Sequence, residues 1–189
     1  MHFVHELWAP ILLAAVGVFV VSSVLHMLIP IHRNDYRKLP DEDAILAYMR
    51  DAGIAPGEYV FPCPDSMKDM GTPEMAEKFK IGPVGFLTIR PPATINMGVS
   101  LAQWFLFSIL VSICAAYLTH AALPAGSAYL SVFRFAGCVA FLCYGVSHVP
   151  DAIWKGASWT TTFKFVFDGL IYGLVTGGIF GWLWPELSH

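Results

Sequence analysis

The sequence predicts an all-α membrane protein, a four-transmembrane-helix bundle with a small mixed cytoplasmic insert between helices 1 and 2. Three observations predict it. Hydrophobic residues make up 56% of the 189-residue chain and charged residues only 13%, and the mean hydropathy is +0.60, outside the range of soluble globular domains. Four long stretches are nearly free of charge. Lys and Arg collect in the connections on one side of those stretches, the pattern of cytoplasmic loops. The resulting division is 1–30 for the N-terminal segment and helix 1, 31–95 for the insert, and 96–189 for helices 2–4.

Helix 1 is expected over 8–29, WAPILLAAVGVFVVSSVLHMLI. About 22 residues at ~1.5 Å each cross a hydrocarbon core of about 30 Å. The residues before it contain Glu6 and no Lys or Arg. The run is too long for a signal-peptide core and no A-x-A site follows, so it reads as an uncleaved anchor. Helix 2 is expected over 99–118 and helix 3 over 128–148, interrupted only by Arg134. Helix 4 runs from about 163 or 165 to 184, with Lys164 and Asp168 near its start. Trp8, Tyr117, Tyr129, Trp154, Trp159, Trp182 and Trp184 fall near the ends, where amphipathic rings favour the headgroup layer.

Orientation follows from the basic residues. The insert carries Arg33, Arg37, Lys38, Arg50, Lys68, Lys78, Lys80 and Arg90, and the 3–4 connection carries Lys155, with Lys164 just beyond. The N-terminus, the 2–3 connection and the C-terminal tail carry none. Both termini are therefore expected outside, with the insert in the cytoplasm. The insert is tethered at both ends and is expected to pack on the bundle. Its best helix covers 41–52: acids fill the first turn, Ile45, Leu46, Tyr48, Met49 and Ala52 form an apolar face, and Gly53 stops it. A second helix starts with Thr72 as cap and Pro73 at the first position and ends near Lys80. Residues 58–61 and 84–89 have strand composition and can pair as a ribbon.

Two constellations stand out. On helix 4, Gly169, Gly173, Gly177 and Gly181 recur every fourth residue, with Gly178 adjacent. This spacing keeps them nearly on one face, where bare backbone admits a neighbour closely. The neighbour is another helix of the bundle, a second copy, or a membrane-protein partner; a ligand beside the bare backbone is a further alternative. The second constellation gathers at the cytoplasmic ends: His26, His32, His148, Asp151, Lys164 and Asp168. Lys164 and Asp168 are four apart and can pair, and ionisable groups at membrane depth face the protein interior or a wet cavity. The alternatives are interfacial anchoring with a structural ion pair, a proton or ion site, and a metal site. His26 and His32, six apart with Pro30 between them, are not a helical chelate.

Other features carry less. Arg134 lies about two turns inside helix 3 and either reaches the headgroups or meets an acceptor, with Glu6 and Glu186 as the acids on that side. The four cysteines show no CxxC spacing, and Cys63 with Met67 and Met70 reads as loop packing rather than a soft-metal site. A net charge of −3 with interspersed bases excludes nucleic acid as a partner. No G-x-S-x-G, H-E-x-x-H, Walker A or dinucleotide fingerprint is present, so no catalytic set or cofactor is written in the chain.

The runs HRNDYRKLPDED at 32–43, GPVGFLT at 82–88, VPDAIWKG at 149–156 and FDGLIYGLVTGGIFGWLWP at 167–185 together resemble a group of small bacterial multi-pass membrane proteins of uncharacterised function. The resemblance implies a bacterial inner membrane and carries over no activity or site. The functional expectation is a non-enzymatic accessory or assembly protein; the alternative is a small ion, proton or metal transporter using the His/Asp/Lys cluster, and a membrane enzyme comes third.

Overall fold

The computed structural model describes residues 2–94 and 96–186. In chain order its elements are α1 (His2–Glu6), α2 (Trp8–Ser23), α3 (Glu42–Asp51), β1 (Gly57–Phe61), α4 (Pro73–Ile81), β2 (Gly85–Ile89), α5 (Met97–Ala122), α6 (Tyr129–Tyr144), α7 (Val149–Lys155) and α8 (Trp159–Trp182). Helical turns link α2 to residue 28 and α6 to α7, which gives four runs long and apolar enough to cross a membrane: Trp8–Leu28, Met97–Ala122, Tyr129–Lys155 and Trp159–Trp182. The second run passes both expected ends, the third passes its expected C-terminal end, and the fourth starts earlier than expected and stops at Trp182. The Asn96 side chain accepts from Val99 N–H and starts α5 two residues early. Pro150 does not stop the third run, because it sits in the first turn of α7, where a missing N–H is not needed.

The chain forms two compact units. The second, Tyr36–Ile95 with Ile153–Gly156, contains the expected ribbon: β1 and β2 pair antiparallel with Gly57 opposite Ile89 and Phe61 opposite Gly85. It also contains the expected capped helix, since Thr72 Oγ1 accepts from Met75 N–H at 3.3 Å and Pro73 opens α4. On α3 the anticipated apolar face is only partly covered: Ile45 and Met49 are half-buried, whereas Leu46 and Tyr48 are exposed.

The first unit is the helical bundle. α2 packs on α5 and α8, and α6 packs on α5 and α8. Its interior is built from small side chains, including Ala14, Ala15, Ala115, Ala116, Ala136 and Ala140, while Leu106, Leu110, Leu142 and Leu174 face outward. Small residues inside and large apolar ones outside suit a bundle whose helices gain nothing from hydrophobic transfer and must associate by close contact.

That contact is closest between α6 and α8. A Cβ on Gly173 would lie 2.8 Å from Gly137 O, one on Gly137 would lie 2.9 Å from Gly173 O, and one on Gly177 would lie 2.5 Å from Phe133 O. At Gly169 it would overlap the backbone of Gly145, and at Gly181 it would meet the Tyr129 ring at 2.8 Å. The glycine ladder is thus filled by a helix of the same chain, the first of the alternatives the spacing allowed. Gly178 is different, with only the Tyr129 hydroxyl at 3.8 Å.

Gly173→Ala is expected to destabilise the bundle by about 1–3 kcal/mol, because the new methyl meets backbone that cannot move aside. Gly178→Ala should stay within about 0.5 kcal/mol. Equilibrium unfolding of the two variants in mixed micelles measures the contrast; equal losses would contradict this assignment of the ladder.

Candidate metal centre

α2 does not end as a regular helix. Val24–Leu28 widens into a π-helical turn, in which Ile29 N–H donates to Val24 O five residues back, a distortion that recurs at functional sites. Pro30 then fixes the break. It forces Ile29 extended (φ −95°, ψ 123°) and opens a tight 3₁₀ turn over Pro30–His32. The reversal folds His32 back onto His26, and the two imidazoles stack with centroids 4.3 Å apart and planes within 1°. Both rings also stack against Phe165 of α8.

Asp168, also on α8, faces the pair and is 2% exposed. Its Oδ2 lies 2.8 Å from His32 Nε2 and 3.8 Å from His26 Nε2. One ligand atom from each of the three residues falls within 4.8 Å of the others.

The proton positions follow from the outer partners. His26 Nδ1 lies 3.1 Å from the Ser22 carbonyl, and His32 Nδ1 lies 2.6 Å from Asp35 Oδ2. A carbonyl and a carboxylate only accept, so both Nδ1 atoms carry the hydrogen, a tautomer assigned from the hydrogen-bond network. In the neutral rings both Nε2 atoms are then acceptors, 2.8 Å (His32) and 3.8 Å (His26) from Asp168 Oδ2. Apart from this close approach, His32 Nε2 and both oxygens of Asp168 have no hydrogen-bond partner among the described residues. His26 is exposed, His32 half-buried and Asp168 buried. A single proton on His32 Nε2 pairs Asp168 with an imidazolium at 2.8 Å. A divalent ion held by the same three ligand atoms is the alternative.

The donor set fits such an ion. Bonds of ~2.0–2.2 Å put neighbouring ligands of a tetrahedral zinc ion about 3.3 Å apart, close to the 2.8 and 3.8 Å found here. The supporting contacts also match, since ligating histidines characteristically give the other ring N–H to a carboxylate or carbonyl. Asp35 is held in turn by Lys164, whose Nζ donates to Oδ1 at 2.5 Å. Burial alone pushes the Asp35 carboxyl up, but hydrogen bonds from Lys164 and His32, together with their charges, outweigh it and hold the group below its usual value.

The expected pair between Lys164 and Asp168 is therefore corrected: Lys164 reaches Asp35, and Asp168 turns to the histidines. His148 stacks on Phe165 at 4.8 Å and lines a cavity beside the cluster without joining the three. Asp151, half-buried on α7, is not on that wall. Asp35 was missed from sequence, although its spacing of three from His32 after a helix-ending proline was a legible signal. Arg134 is exposed on a smaller crevice between α6 and α8 and makes no ion pair among the described residues.

The cavity beside the cluster measures about 640 Å³. His26, His148, Asp168 and Tyr172 line it, together with Trp104 of α5, whose Nε1–H donates to Ser22 Oγ at 2.8 Å. No described protein family, curated protein or solved structure matches this chain, so the chemistry of the site is read from these residues.

Asp35 is 1% exposed and Lys164 24%, so removing the ammonium strands a buried carboxylate. Lys164→Met is expected to cost about 3 kcal/mol, and Lys164→Met with Asp35→Asn should recover part of that loss. A double-mutant cycle on unfolding free energies reads the coupling; additive losses would contradict it.

Proposed function

We propose that this chain is a divalent-metal-binding protein of the bacterial inner membrane, with both termini outside and His26, His32 and Asp168 holding an ion of the zinc class at the cytoplasmic end of the bundle. One observation carries the reading. Both Nδ1 atoms are committed to acceptors, which leaves two Nε2 atoms and a buried carboxylate oxygen within 4.8 Å of one another as free ligand atoms. Imidazole with carboxylate suits zinc and its neighbours in the first transition row. Three protein ligands leave a further position open, the arrangement of zinc sites that act on something rather than brace a fold. The excess of Lys and Arg in the insert supports the orientation.

This reading belongs with cation handling rather than with an accessory role through helix 4. The accessory role draws on the glycine ladder and the insert, and the ladder's face is taken up by α6.

The test is metal content. Full-length protein purified in detergent, stripped with chelator and reloaded, is expected to retain one zinc per chain. His32→Ala and Asp168→Ala should lose it, and Asp35→Asn should weaken it about 10–100-fold through loss of support to His32. Elemental analysis and competition with a zinc indicator give both numbers. A wild-type chain that retains no more zinc than the Asp168→Ala variant would sink the proposal.

A further inference from the structure

Resting on the metal reading, the cavity beside the site has a composition of its own. Its volume, about 640 Å³, is that of a small-molecule site. Its wall joins polar groups, among them His26, Asp168 and Tyr172, to an apolar stretch of Met27, Met97, Leu101, Trp104 and Phe107. Met27 and Met97 are 79% and 63% exposed, so the cavity opens at a rim of flexible apolar side chains between the first two long helices. Methionine is the residue that adapts to varied apolar ligands.

Charge decides what belongs at the closed end. A divalent ion held by one carboxylate and two neutral imidazoles keeps one net positive charge. In a low-dielectric surround an uncompensated charge is costly, so the open position favours a monoanion. Lys164 adds no demand, because Asp35 neutralises it. Tyr172, 3% exposed, has a hydroxyl with no hydrogen-bond partner and stands on the same wall. One helical turn from Asp168 on α8, it supplies a donor for a second oxygen of the bound group. A carboxylate matches this pair, with one oxygen on the metal and the other on Tyr172.

We infer that the cavity binds a single-chain long fatty acid, its carboxylate on the metal held by His26, His32 and Asp168 and its alkyl tail along Leu101, Trp104 and Phe107. A single tail suits a cavity of this size, whereas a two-chain phospholipid exceeds it. The bilayer supplies such amphiphiles laterally, through the methionine rim. The metal end selects the head and the apolar wall selects the tail.

The test uses the full-length chain in detergent, with zinc content measured in every sample and palmitate as the probe. Zinc-loaded protein is expected to bind one palmitate per chain saturably. Binding should weaken at least about tenfold, the equivalent of ~1.4 kcal/mol, when zinc is stripped or when methyl palmitate replaces palmitate. Tyr172→Phe should weaken palmitate but not the methyl ester. Leu101→Trp should block the tail, and Met97→Trp serves as the second variant if the first fails to hold zinc. Zinc retained with equal binding of acid and methyl ester would overturn the inference, leaving a groove that takes any tail. Zinc retained with no saturable palmitate binding would overturn it as well. Zinc not retained by the wild type would instead defeat the metal reading, and this inference with it.

Discussion

Two backbones in near contact set the rest of this structure. Gly137 of α6 and Gly173 of α8 each leave room for the other's carbonyl, and Gly177 and Gly169 extend the seam in both directions. In an apolar solvent such helices would have no hydrophobic reason to associate, and dispersion over a close, unobstructed interface would hold them. The seam fixes the height and rotation of α8. Asp168 is the residue next to Gly169, so a packing constraint on the glycine becomes a positional constraint on the carboxylate.

The other half of the site comes from a defect. A straight α2 would carry its side chains past the end of the bundle. The wide turn at Val24–Leu28 and the reversal at Pro30 instead return the chain so that His32 lies flat on His26. Lys164 then fastens the returning strand by holding Asp35, and Asp35 orients His32. Asp168 completes the cluster, its Oδ2 2.8 Å from His32 Nε2 and 3.8 Å from His26 Nε2.

The small-residue interior and the apolar cavity belong to the same economy of space. Alanines let α2, α5, α6 and α8 close tightly over much of their length, and where Trp104, Tyr144 and Tyr172 replace them the rings tilt against one another and frame an open volume. The cavity thus sits at the end of the bundle where the polar groups are. An apolar chamber with a polar, metal-ready wall is suited to a molecule with the same division.

Much of this was legible along the chain. Hydropathy and length gave four long apolar helices, Thr72-Pro73 gave the start of α4, strand composition gave the β1–β2 ribbon, and the glycine spacing gave a close-packing face, because each depends on neighbours within a turn or two. The cluster members His26, His32, Lys164 and Asp168 were visible as residues, but their pairing was not. Lys164 sits four residues from Asp168, yet it bonds to Asp35, 129 residues away. Helical periodicity put His26 and His32 on different faces, and the reversal at Pro30 removed the helix to which that periodicity applied. The sequence by itself determined the helices, their breaks and the polar inventory at their ends, since those follow from local propensity and transfer energy. Only the tertiary structure decided which donor meets which acceptor, because that depends on the approach of distant backbones, set here by glycines facing glycines.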